Sequence, residues 1–118
     1  MTVSRSFDPD PRSVRAARNF VSEHLTDADP QRRDRAVLLV SELGSNAVRH
    51  AGTGFSGAVG RKGRGLLVEV SDDGPGTPSI QERDTSKASG RGLQLVQDLS
   101  DDWGVRQVRN RKVVWFTV

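Results

Sequence analysis

A chain of 118 residues is long enough for one domain and too short for two. With no cysteine and only His24 and His50 as imidazoles it cannot build a zinc cluster, an iron–sulfur site or a thiol nucleophile, while 34% apolar residues and 12 glycines fit a globular fold with a modest core. Eighteen Lys and Arg against fifteen Asp and Glu leave a charge of +3, and the isoelectric point near 10.2 overstates it, because fifteen of the bases are Arg and stay charged to high pH.

Met1 to Asp10 lacks the apolar stretch of a signal peptide and no apolar run nears a membrane span, so a soluble, cytoplasmic protein with no membrane partner is expected. Val3, Arg5 and Phe7 alternate with polar residues and predict a short strand, at an edge. Asp10-Pro11 is a helix start, and Val14, Ala17, Val21 and Leu25 carry helical spacing down to Thr26. Asp29-Pro30 repeats the signal for a longer helix that runs to a stop at Ala51-Gly52. Phe55, Gly57 and Val59 alternate before a basic, glycine-rich turn at Gly60 to Gly65, and Leu66 to Val70 follows as the second strand of a hairpin. Asp72 to Gly76 and the polar residues after it predict a long loop to Gly90. A third helix is expected after Gly92, with Leu93, Val96 and Leu99 on one face, then strands Trp103 to Val108 and Val113 to Val118 around a turn at Asn110.

Three places in this order have the residue types for chemistry. On the second helix Ala36, Val40, Leu43 and Ala47 fall within about 60° of each other on a wheel, and Asn46 lies about 20° from Leu39 at the border of that face, with Glu42 one turn earlier. Polar groups there need partners; on periodicity alone they also suit a loop cap or a solvated face. Val70-Ser71-Asp72-Asp73-Gly74-Pro75-Gly76 puts an acidic pair at a strand end before two spaced glycines, a pattern that also makes an ordinary turn. Gly90-Arg91-Gly92-Leu93 leads into a helix whose free N–H groups and positive end suit phosphate oxygens, or simply a flexible helix start. Gly52-Thr53-Gly54-Phe55-Ser56-Gly57 spells the dinucleotide fingerprint, but it follows a helix and enters a strand, the reverse of what that motif needs. There is no GxxxxGK[ST] and no His-Arg-Asp loop, which excludes P-loop enzymes and eukaryotic-type protein kinases.

Taken in order, helix Glu-x-x-x-Asn, strand Asp-x-Gly-x-Gly and Gly-x-Gly-Leu at a helix resemble the histidine-kinase-type ATPase fold. Within it the chain is similar to the bacterial anti-sigma-factor serine kinases and the small actinobacterial ATP-binding regulators. The matching stretches are Ser41-Glu42-Leu43-Gly44-Ser45-Asn46-Ala47-Val48-Arg49-His50-Ala51, Val68 to Gly76 and Ser89-Gly90-Arg91-Gly92-Leu93-Gln94-Leu95-Val96, and Phe7 to Val21 resembles the start of those regulators. The resemblance implies one ATP-binding domain over residues 1–118: a two-layer α/β sandwich with a mixed, largely antiparallel sheet of about five strands and three helices on one face.

It also implies site roles. Asp72 would accept the adenine amino group, where guanine offers a carbonyl, and Gly74 and Gly76 would let the backbone approach base and sugar. Asn46 would ligate Mg²⁺ through its amide oxygen, Arg49, Gly90, Arg91, Gly92 and Leu93 would line the ATP phosphate side, and Thr77 to Ser89 would form the lid. Glu42 would be the catalytic base of a serine/threonine protein kinase, accepting a hydroxyl proton as the γ-phosphoryl moves. The implied partners are a small anti-sigma-factor antagonist, which is phosphorylated, and a sigma factor, which is sequestered; a homodimer is left open. Gly44 and Arg111 depart from the family's pattern, and no phosphohistidine helical pair precedes the domain, so a complete histidine kinase is not expected. Two other readings stand beside this one: an ATP-binding switch without catalysis, and a nucleic-acid module using Arg61, Lys62, Arg64, Arg106, Arg109, Arg111 and Lys112, with Trp103 and Trp115 as stacking surfaces. Both tryptophans lie in predicted strands, where a core role is the simpler expectation.

Overall fold

The two Asp-Pro helix starts are used differently. In the computed structural model, which describes residues 2–51, 54–63, 65–72, 88–109 and 111–118 (50, 51 and 88–92 by backbone alone), α1 spans Arg12–Glu23 and α2 spans Pro30–Asn46. Asp29 is the N-cap of α2: its carboxylate accepts the Arg32 N–H at 3.3 Å, and Pro30 follows where a missing N–H is harmless. Helix α1 starts one residue later than the sequence suggests. The Asp10 carboxylate accepts the Arg12 N–H at 2.8 Å and its guanidinium at 2.9 Å, forming a turn ahead of the helix and leaving Pro11 as its flanking residue. These contacts hold the Asp10 carboxyl below the usual carboxylate range. The helix also ends earlier than Thr26, at Glu23, where the His24 N–H closes onto the Phe20 and Val21 carbonyls.

The five strands are β1 (Val3–Phe7), β2 (Phe55–Lys62), β3 (Gly65–Asp72), β4 (Asp102–Val108) and β5 (Arg111–Thr117), in the order β1-β2-β3-β5-β4. All four pairings are antiparallel, so the expected sheet contains no parallel pair among the described residues. β1 is an edge, as its alternation predicts. The hairpin turns are tighter than the glycine content suggests. Lys62 pairs with Gly65, leaving two residues between β2 and β3, and Gly63 takes the left-handed angle (φ 60°) that such a turn requires. Arg109 takes a similar angle (φ 57°) between β4 and β5 without glycine's freedom.

Strand parity sorts the sheet into two faces. Leu66, Val68 and Val70 of β3 and Val114 and Phe116 of β5 point inward and meet Phe20, Leu39, Val40 and Val96 of the helices in one core. Burying a side chain such as Phe116 or Leu39 contributes about 1.5–3 kcal/mol, and it is this burial that holds the layers together. Helix α2 packs on β3 and against both α1 and α3 (Ala88–Leu99), while α3 packs on β4. Trp103 joins the edge of the core, as expected. Trp115 does not: it lies on the opposite parity, over Gly104, where an added Cβ would come within 2.7 Å of the indole Nε1. Among the described residues no helix is long and apolar enough to cross a membrane.

Candidate functional site

The register of the sheet brings one polar row to its inner face. Phe55 pairs with Asp72, Asp72 with Lys112 and Lys112 with Gln107, so an aromatic residue, a carboxylate, an ammonium and a carboxamide lie side by side across four strands. Asp72 continues the inward parity of Val68 and Val70 at the last position of β3, where the apolar core gives out. Its carboxylate lies 3.5 Å from the Lys112 ammonium, with the two side chains only 20% and 14% exposed. A charge so far withdrawn from water needs a counter-charge, and each supplies the other's.

The C-terminal end of α2 closes over this row. Gly44 rests on the Phe55 ring, which in turn stacks on Phe7 at a centroid distance of 5.1 Å. A Cβ at position 44 would come within 3.1 Å of the ring, which accounts for a glycine in mid-helix despite a propensity cost of about 1 kcal/mol. Gly44→Val is therefore expected to destabilise the fold by about 1–3 kcal/mol, read as a lower urea midpoint at unchanged slope. Each just before a buried residue, Leu43 or Ala47, and one turn apart from each other, Glu42 and Asn46 are half-buried on the same side of the helix. The Asn46 Oδ1 is fully buried and has no hydrogen-bond partner among the described residues. This oxygen therefore neither caps a described loop nor reaches solvent.

Immediately after Asn46 the helix widens into a π-helical turn, Ala47–Ala51, a form common at functional sites. Helical periodicity could not signal it. Arg49 is exposed on this turn, and the side chain of His50 lies outside the described residues. Helix α3 begins at Ala88, so Gly90 and Gly92 fall inside its first turns rather than ahead of them, a correction to the sequence reading. The backbone N–H of Gly92 falls within reach of the Ala88 carbonyl, whereas the i−4 position for Gly90 lies outside the described residues. Leu93 is 4% exposed and belongs to the core, so its side chain anchors α3 instead of facing a ligand. Helix α3 ends beside the start of β4, at the end of the sheet away from Asp72. Gly74, Gly76 and the expected lid up to residue 87 lie outside the described residues, as does the side chain of Arg91.

Most of the basic residues of the nucleic-acid reading are engaged within the protein. Arg61 pairs with Asp27, Arg106 with Glu69 and Lys112 with Asp72; Arg111 donates to the Ser56 hydroxyl at 3.2 Å. The Lys62 ammonium sits 5.1 Å from the centre of the Trp115 ring and occupies the surface a base would stack on. Arg64 lies outside the described residues. A partnered set of this kind makes a poor phosphate-tracking surface.

Solved structures share this architecture. The RsbU and RsbW domains of Rv1364c from Mycobacterium tuberculosis superimpose with a TM-score of 0.76 at 19% identity, over 99% of this chain and 32% of that one. The SiaB–SiaC complex from Pseudomonas aeruginosa matches at 0.65 and 11% identity, over 98% of this chain and 88% of that one. A blue-light activated histidine kinase, EL346 of Erythrobacter litoralis, matches at 0.56 and 24%, over 92% and 41%. At these identities the likeness is one of fold. No curated protein matches the sequence. The family model of the histidine kinase-like ATPase domain, whose members are ATP-binding by that description, covers residues 7–118, and the chain belongs to that family.

Proposed function

We propose that this domain binds ATP with magnesium and transfers the γ-phosphoryl group to a serine or threonine of a small antagonist protein, holding a sigma factor when it is not so engaged. The observation that carries the reading is the Asn46 amide oxygen, buried and unpartnered at the end of α2, on the same side of the helix as the Glu42 carboxylate. An oxygen held dry without a donor suits a hard cation, and magnesium needs few protein ligands because triphosphate and water oxygens complete its shell. When bound, magnesium supplies charge neutralisation to the triphosphate.

The chain's own residues divide the remaining work. Asp72 accepts the adenine amino group at the end of β3, with Gly74 and Gly76 beside the base and sugar. Arg49, Arg91 and the backbone at Gly90 and Gly92 hold the phosphates. Glu42 takes the proton of the acceptor hydroxyl as its oxygen bonds to the γ-phosphorus; the bond from that phosphorus to the bridging oxygen breaks, and ADP leaves. Support for a protein partner comes from two fold neighbours, one solved as an RsbW domain together with an RsbU domain, the other as a complex of SiaB with SiaC. An ATP-dependent regulator of this kind works in the cytoplasm.

The test is transfer of label from γ-labelled ATP, with Mg²⁺, to antagonist proteins encoded in the same genome, with ATP binding followed by calorimetry. Labelling of a serine or threonine is expected, with Asp72→Asn weakening ATP binding about 10- to 100-fold. ATP binding without labelling of any antagonist would leave the non-catalytic switch, and the lack of any heat on adding Mg·ATP would remove both.

A further inference from the structure

Glu42 stands at the end of a longer stripe on α2. Counting back from it, Leu38 lies one turn earlier and Arg35 two turns earlier, so the three are spaced i, i+3 and i+7 and fall within about 60° of one another around the helix axis. Leu38 is 43% exposed in the middle of a helix whose core face is already filled by Ala36, Leu39, Val40 and Leu43. A Lys or Glu at that position would match its helix propensity and be better solvated. The Arg35 Nε is buried without a hydrogen-bond partner among the described residues, while the side chain as a whole is half-buried. Its stem and Nε therefore lie against the protein instead of swinging in water, which fixes where the guanidinium sits.

Resting on the kinase reading proposed above, we propose that the Arg35–Leu38–Glu42 face of α2 is where the acceptor protein docks: Leu38 meets an apolar side chain of that protein, Arg35 one of its carboxylates, and the serine or threonine lies over Glu42. Continuity and charge both favour it. A hydroxyl within hydrogen-bond reach of the Glu42 carboxylate brings its own chain alongside that turn of α2, and the turns just before it are the surface that chain meets next. Glu42 repels a carboxylate of the acceptor and Arg35 attracts one, so the matching segment is acidic at the Arg35 end and uncharged at the hydroxyl. At 1.5 Å of rise per residue, Leu38 stands about 6 Å and Arg35 about 10 Å from Glu42 along the axis. An acceptor helix lying along α2 meets both points when its apolar and acidic residues are four and seven positions from the serine. The exposed leucine then gains an apolar partner and the guanidinium, already held in place, an anionic one at little further entropic cost.

The test follows transfer from γ-labelled Mg·ATP to the antagonist protein that the wild type labels, at varied antagonist concentration. In Leu38→Lys and in Arg35→Glu, KM for the antagonist is expected to rise about 10- to 100-fold, with kcat and the calorimetric Kd for Mg·ATP within about threefold of the wild type. Leu38→Met, which keeps the apolar contact, should retain the wild-type KM. Thermal melts check folding, and Leu38→Gln and Arg35→Gln give the same readout should a charge at either position disturb α2. An unchanged KM at either position overturns the proposal. So does a loss that appears in ATP affinity instead, which would make the stripe part of the nucleotide site, or altered sedimentation of the isolated protein, which would make this face a contact between copies of the chain. If the wild type binds ATP but labels no antagonist, the kinase reading fails and this inference with it; if it labels one and the variants keep its KM, only this inference fails.

Discussion

Replacing Glu42 with Gln is expected to slow phosphate transfer by about 10²- to 10⁴-fold while changing Mg·ATP affinity by less than about threefold. The substitution is close to isosteric, and Gln and Glu have nearly the same helix propensity, so α2 should keep its path. What disappears is the ability to take a proton. Glu42 is half-buried one turn before Asn46, so a carboxylate there lies beside the oxygen proposed to hold magnesium without being that ligand itself. Single-turnover transfer to the antagonist, measured beside calorimetric ATP binding, separates the two effects. A rate equal to that of the wild type would mean that the hydroxyl gives up its proton elsewhere, and a matching loss of ATP affinity would move Glu42 from chemistry to binding. The comparison also divides the kinase from the switch, since a protein whose ATP only sets partner affinity has nothing for Glu42→Gln to slow.

The parts of this molecule that were legible in the sequence are those governed by local rules. Asp29-Pro30 marks the start of α2 because a carboxylate cap and a proline in the first turn act on the adjacent backbone. Leu66, Val68 and Val70 predict an inward face because strand parity is fixed at two. The Ala36, Val40, Leu43 and Ala47 stripe is buried as the wheel requires. What escaped depends on distant partners. Gly44 reads as a weak point until Phe55 is seen against it, and the two meet only because the fold brings that turn of α2 against the first residue of β2. The opposition of Lys112 to Asp72 is a matter of register between strands 40 residues apart in sequence, for which no local signal exists. Trp115 was expected in the core from its strand context, yet alternation alone leaves the choice of face open until neighbouring strands fix it. Helix α3 starts before its glycines because burial of Leu93 and Val96 outweighs their poor propensity.

Asn46→Ala should move stability in opposite directions in the two states of the protein. In the free protein the buried Oδ1 lacks a donor, a defect worth about 1–3 kcal/mol, and Ala is the better helix former by a few tenths more. Loss of the half-buried side chain's packing offsets part of this. A net gain of about 1 kcal/mol, or a Tm higher by roughly 4 °C, is the expected result without nucleotide. With Mg·ATP at about 100 times its Kd, the wild type should gain about 2.7 kcal/mol by mass action, while the variant, lacking the oxygen that holds the cation, should gain little and show ATP binding indifferent to magnesium. The ranking of the two proteins therefore inverts on adding Mg·ATP. Asn46→Asp, which keeps an oxygen ligand, should retain the magnesium dependence. A variant less stable than the wild type in both states would mean that the amide oxygen already has a partner in the free protein; the carboxamide would then be structural, and the assignment of magnesium to α2 would lose the observation it stands on.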